Sequence, residues 1–180
     1  MRGRALLARA SVGALAGLLA GMLAGIGARV AMRMVADGVA DGVGVTTSFT
    51  WNGTLTIVGI GAVVGTPFGI VYDAILDRLP GPPRLRGLVF GALAFAIMGP
   101  IFFITNAEEL FSQGRVVLFA VLFPVFGLAL GGTHALSRRF AARLPVAVHA
   151  TLAAVAGIGV VFTATGLALA TLAAAGLVRM

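Results

Sequence analysis

Ser11 to Asp37 reads SVGALAGLLAGMLAGIGARVAMRMVAD, and every fourth residue along it belongs to one ladder: Gly13, Gly17, Gly21, Gly25, then Arg29, Arg33 and Asp37. In water each helical glycine costs up to about 1 kcal/mol against alanine. In a bilayer the same spacing lets a second helix approach backbone to backbone. The stretch therefore predicts a membrane-embedded helix whose glycine face is a packing surface. Each step of four over-rotates an ideal helix by about 40°, so the ladder slants, as suits a crossing against one neighbour.

Composition agrees with a membrane reading. Of the 180 residues, 59% are hydrophobic and 11% charged, and the mean hydropathy is +1.07. A soluble domain carries roughly a quarter charged residues, so this pool is too small for a water-facing surface. The net charge of +7 comes from 13 basic residues, all arginine. They stand in short segments between apolar runs, where membrane topology accounts for them and a nucleic-acid-binding face does not. Arginine without lysine, beside abundant Ala, Gly and Val, is the composition of a GC-rich bacterial genome. With no cysteine, disulfides and thiolate chemistry are excluded.

Five apolar runs follow one another, at roughly 10–34, 52–76, 87–105, 115–136 and 146–177. Each of the first four leaves about 18–20 uncharged residues, enough for a helix to cross some 30 Å of hydrocarbon. Trp51 and Tyr72 stand at opposite ends of the second run, as interfacial aromatics would. The fifth is long for one crossing and reads as a single tilted helix, although Gly157-Ile158-Gly159 offers a breaking point. The expected fold is an all-α polytopic bundle of about five transmembrane helices in a single domain, packed through Gly/Ala faces. The first span exceeds a signal-peptide apolar core and lacks a clean Ala-x-Ala before Arg29, so it is read as retained.

Arginine placement sets the expected orientation. With the N-terminus in the cytoplasm, Arg2, Arg4, Arg9, Arg78, Arg84, Arg86, Arg138, Arg139 and Arg143 lie inside. Arg29, Arg33, Arg115 and Arg179 then lie outside, with Asp37, Asp41, Glu108 and Glu109. The expected location is a bacterial inner membrane, with the C-terminus outside.

The ladder device recurs. Gly61, Gly65 and Gly69 step by four into Asp73 and Asp77, and Gly87 and Gly91 open the third run. Two segments also echo each other: Tyr72-Asp73-Ala74-Ile75 and Thr133-His134-Ala135-Leu136 both read polar, titratable, Ala, aliphatic, and both run on to an arginine. Two parallel hairpins plus a fifth helix would produce this pattern.

Gly69-x3-Asp73-x3-Asp77 resembles the second half of the CDP-alcohol phosphotransferase motif, whose membrane enzymes hold divalent metals on aspartates. Its first half, Asp-Gly-x-x-Ala-Arg, would fall on Leu55 to Ile60, which reads LTIVGI and has neither the aspartate nor the arginine. Two carboxylates one turn apart cannot clamp both oxygens of a phosphoryl transfer. The residues instead suggest a helix end whose acids pair with Arg4, Arg9, Arg138 or Arg139. His134 and His149 bracket the inner loop and read as interfacial histidines, with a shared metal or haem as the sharper option. Arg29 and Arg33, beside Asp37, could snorkel to headgroups or hold an anionic ligand with Glu108 and Glu109 as counter-charges.

No charged residue sits at mid-depth of the first four runs, as proton-coupled transport would require. Polarity there reduces to Thr66 beside Pro67, Pro124, Thr163 and Thr165. The expected function is accordingly non-enzymatic: a helix-packing subunit or scaffold whose partners are lipids, a second copy or another membrane protein. No nucleic acid, cofactor or metal is expected. The alternative is a small channel or transporter using kinks at Pro67 and Pro124, with Thr66 in its path and Asp73, Asp77 and His134 at the inner mouth. A lipid-handling enzyme built on Asp73 and Asp77 comes third.

Overall fold

The computed structural model describes residues 2–38, 50–105, 116–141, 143 and 145–174, and all its regular structure is helical. Five helices follow in order: α1 (Arg2–Gly38), α2 (Trp51–Ile75), α3 (Arg86–Thr105), α4 (Val116–Ala141) and α5 (Val146–Ala174). A 3₁₀ turn, Leu76–Arg78, ends α2, and Gly81, at φ +92°, supplies the left-handed residue in the proline-rich link to α3.

Four of these helices contain stretches long and apolar enough to cross a membrane: Ala8–Val30, Trp51–Arg78, Ala120–Phe140 and Ala147–Gly166. In α3 the apolar stretch among residues with described side chains is Arg86–Pro100, and the helix itself runs on to Thr105. Large apolar side chains face outward on every helix, among them Ile26, Leu55, Ile97, Val125 and Phe162. Water would penalise such a surface heavily, whereas lipid would not. The chain is a helical membrane-protein bundle.

Within it α1 is central. Half of its apolar stretch is buried, against 17–22% for the other three spans. Small residues make this possible, because each face of α1 meets a different neighbour. Its glycine face meets α2, Ala16 and Ala20 pack with Tyr72, Phe90 and Leu130, and Ala14 packs with Leu152 and Ala156 of α5.

The α1–α2 contact is glycine on glycine. A Cβ on Gly13 would lie 2.8 Å from the Ile70 Cα, and one on Gly17 would lie 2.9 Å from the Gly65 carbonyl carbon and the Gly69 nitrogen. Gly21 meets Gly61 in the same way, and Gly25 meets Val58. The contact stays in register over twelve residues of α1, or about 18 Å of helix. The partner face sought for the opening ladder is therefore the second ladder of the same chain. The α3–α4 hairpin repeats the device: Gly87 and Gly91 meet the Gly127 backbone, and Gly87 also meets Gly131.

Two expectations need correcting. Helix α4 runs on through Ser137 to Ala141, so most of the basic inner segment is helix end, not loop. Nothing in Ser-Arg-Arg-Phe-Ala breaks a helix; Pro145 begins the next one, its carbonyl accepting from Val148 N–H at 3.0 Å. Tyr72 is not an interfacial aromatic. It is 2% exposed and packs edge-on against Phe90 and His134, each at 5.3 Å between centroids. The fifth run, by contrast, is the single helix expected: α5 is unbroken through Gly157-Ile158-Gly159. It crosses α2 where a Cβ on Gly159 would strike the Val63 carbonyl and lie 2.9 Å from Pro67 Cδ. Pro67 has no N–H for that carbonyl, and glycine lets α5 cover the freed oxygen.

Candidate functional site

A cluster of polar residues lies at one end of the bundle, where α1 begins, α2 and α4 finish and α5 begins. Asp73 lies on the last turn of α2, one turn beyond the final glycine contact at Gly69. Close backbone packing there brings α1 against it, and Arg9 reaches across. Arg9 Nε lies 3.4 Å from Asp73 Oδ2, and Arg9 Nη2 lies 3.4 Å from the Asp73 carbonyl oxygen. The same Nη2 lies 3.8 Å from Asp77 Oδ2.

The other carboxylate oxygen of Asp73 is held from α4. His134 Nε2 lies 2.8 Å from Asp73 Oδ1, in a pair that is 4% exposed at His134 and 8% at Asp73. With the proton on Nε2, the imidazole donates to the carboxylate whether neutral or charged. Tyr72 packs perpendicular to the imidazole, at 89°. One residue earlier on α4, the Thr133 hydroxyl stands 2.8 Å from the Ala129 carbonyl and 3.0 Å from the Ala16 carbonyl of α1. The end of the bundle is thus tied across α1, α2 and α4 by polar contacts as well as by packing.

Asp73 and Asp77 have opposite environments. The Asp73 side chain is 12% exposed and has partners on both oxygens; the Asp77 side chain is 81% exposed and, among the described residues, has only the long contact to Arg9. Beside them opens a cleft of about 620 Å³. Among the described residues, its polar lining is Arg9, Asp73, Asp77, Arg138 and His149, and its apolar wall is Ala8, Val12 and Leu76. A smaller cleft of about 300 Å³, on the Leu6 and Ile70 side, shares Arg9 and Asp73.

Chemically the cluster is a satisfied ion and hydrogen-bond network with a mixed-charge cleft in front. Ser137, one turn beyond His134, is 1% exposed, and its hydroxyl has no hydrogen-bond partner among the described residues. His134 therefore does not activate it as a nucleophile in this geometry. Among the described residues no three of His, Asp and Glu converge on a metal position.

The histidines have separate surroundings: His149 lines the cleft, with its Nδ1 buried and unpartnered, whereas His134 is committed to Asp73. Thr66 is fully buried, and its hydroxyl donates to the Ala62 carbonyl of its own helix at 2.7 Å. It lines neither cleft.

At the opposite end, Arg29 Nε lies 3.3 Å from Thr54 Oγ1, close to where Thr50 caps α2 by accepting from Gly53 N–H at 3.2 Å. The side chains of Arg33 and Asp37, and all of Asp41, Glu108, Glu109 and Arg115, lie outside the described residues.

The Asp73–His134 pair escaped a reading of the sequence because its members are 61 residues apart. The available signal was the echo itself, which sets Asp73 and His134 at equivalent places in two segments ending at the same membrane face. The chain matches no known protein-family model, no curated protein and no solved structure.

Proposed function

We propose that this chain is a non-enzymatic, multi-pass subunit or scaffold of a bacterial inner membrane, with its N-terminus in the cytoplasm. The observation carrying this reading is that its glycine ladders and the buried polar groups Asp73, His134 and Thr66 are engaged in holding its own helices. The ladders of α1 and α2 close on each other, Asp73 has partners on both carboxylate oxygens, and Thr66 bonds its own backbone. What remains outward is apolar side chain on every helix, a surface for lipid and for other membrane helices. Nine arginines at the polar end favour a cytoplasmic location for it.

Native mass spectrometry of the full chain, extracted from membranes in mild detergent, tests the proposal. The expected result is an assembly of fixed stoichiometry, with a second copy or another membrane protein. A bare monomer that also passes solute in proteoliposomes would overturn it and favour the channel or transporter reading. The cleft containing Asp73 and Asp77 speaks for that second reading. It makes a further demand: flux must fall when Asp77 is replaced by Asn.

A further inference from the structure

The cleft at the arginine-rich end retains unused binding capacity of both signs. Arg9 spans the two aspartates, and Asp73 is fully committed. Among the described residues, three groups are left. Asp77 is 81% exposed at the side chain, with one contact at 3.8 Å. Arg138, exposed on the final turns of α4, lines the same cleft. The Nδ1 of His149 is buried, has no hydrogen-bond partner among the described residues, and belongs to a ring that lines the cleft. That nitrogen is enclosed by protein, so what His149 presents to the cleft is the remaining surface of its half-buried ring. His149 also stands in the first turn of α5, where the positive end of the helix dipole adds to Arg138.

We propose that this cleft holds the headgroup of a zwitterionic aminophospholipid, with its phosphate on Arg138, beside the His149 ring, and its ammonium on Asp77. The cleft has a polar half and an apolar half, and the apolar half (Ala8, Val12 and Leu76) belongs to the membrane-spanning helix α1 and the turn ending α2. An amphiphile seated there keeps its tails in the bilayer while its headgroup meets charge. A volume of about 620 Å³ is within the range of small-molecule sites.

The alternatives fit less well. A purely anionic headgroup or free phosphate would face Asp77 with no cation of its own to offset it. A divalent cation would need more carboxylate or imidazole ligands than converge here among the described residues. A trimethylated ammonium can approach Asp77 but has no N–H to donate.

The test uses the full-length protein in detergent after delipidation. Native mass spectrometry measures retention of phosphatidylethanolamine, phosphatidylcholine and phosphatidylglycerol with matched chains, and of free phosphoethanolamine. Phosphatidylethanolamine is expected to be retained at least tenfold better than the other two lipids. Asp77→Asn should erase its advantage over phosphatidylglycerol, and Arg138→Gln should weaken retention of all three. Both residues are exposed, so an unchanged lipid-free melting temperature confirms that the variants fold. Equal retention of the three lipids, or phosphatidylethanolamine retention unaffected by either variant, would overturn the proposal. Free phosphoethanolamine bound as tightly as the whole lipid would overturn the lipid as occupant.

Discussion

Asp73 and His134 meet at 2.8 Å, although one closes α2 and the other lies near the end of α4. Each is the titratable residue of an echoing segment, Tyr72-Asp73-Ala74 and Thr133-His134-Ala135. Helix α1 brings them together: Arg9 holds one oxygen of Asp73, while Thr133 approaches the Ala16 carbonyl. Residues at matching places in the two hairpins thus join across the central helix.

This geometry separates the two aspartates in energy. Asp73→Ala would strip a buried imidazole of its partner and release Arg9, and the expected loss is about 2–3 kcal/mol. Asp77→Ala removes only a long contact between exposed groups and should fall within about 0.5 kcal/mol of the parent. Thermal unfolding in detergent compares them directly. Equal melting temperatures for the two variants would show that the Asp73–His134 pair contributes nothing to the fold.

The glycines divide by what lies in front of them. A methyl on Gly17 meets the α2 backbone at 2.9 Å, which cannot yield as a flexible side chain can. Gly17→Ala should therefore force α1 and α2 apart at a cost of about 1–3 kcal/mol, and Gly17→Leu should prevent a stable hairpin. Gly27 and Gly59 have open space in front of a Cβ. Alanine at either should stabilise by up to about 1 kcal/mol through helix propensity alone. Similar destabilisation at all three positions would disprove the close hairpin.

How much of this could be read from the chain depends on distance along it. The ladder at Gly13 to Gly25 and the one at Gly61 to Gly69 are local patterns, and so are the apolar runs bounded by arginine. Both follow from helical periodicity and bilayer thickness. Pairing is not local. Nothing near Tyr72 distinguishes an interfacial tyrosine from a core one, because its burial is decided by Phe90 and His134 on other helices. His134 looked interfacial for the same reason. Its position near a helix end was legible; the carboxylate opposite it was not. The end of α4 was set too early because the arginines mark where the membrane stops, and a helix need not stop there.

The crossing of α5 over α2 depends on Gly159 more than on its neighbour Gly157. A Cβ on Gly159 would press on the Val63 carbonyl and Pro67 Cδ, while Gly157 has nothing within 4 Å. Gly159→Val should detach the middle of α5 and leave the α1–α2 hairpin intact, whereas Gly157→Val should keep α5 in place. Cysteine pairs spanning α2 and α5, in a chain with no native cysteine, report this by crosslinking efficiency. Efficient crosslinking in the Gly159 variant would contradict the close approach at Pro67.

Two buried hydroxyls should respond in opposite directions. Thr66 is fully buried, but its hydroxyl is satisfied by the Ala62 carbonyl at 2.7 Å. Thr66→Val preserves shape and gives up one intrahelical bond, so it should cost no more than about 1 kcal/mol. It should also leave any flux in proteoliposomes unchanged, because the side chain does not open on either cleft. Ser137 is as deeply placed, yet its hydroxyl finds no partner among the described residues. Ser137→Ala removes an unpaid desolvation and should raise the melting temperature, by the equivalent of about 1 kcal/mol. If Ser137→Ala instead destabilises by that amount, the hydroxyl is bonded in the membrane, and the end of α4 is wetter than its packing against Asp73 and Tyr72 implies.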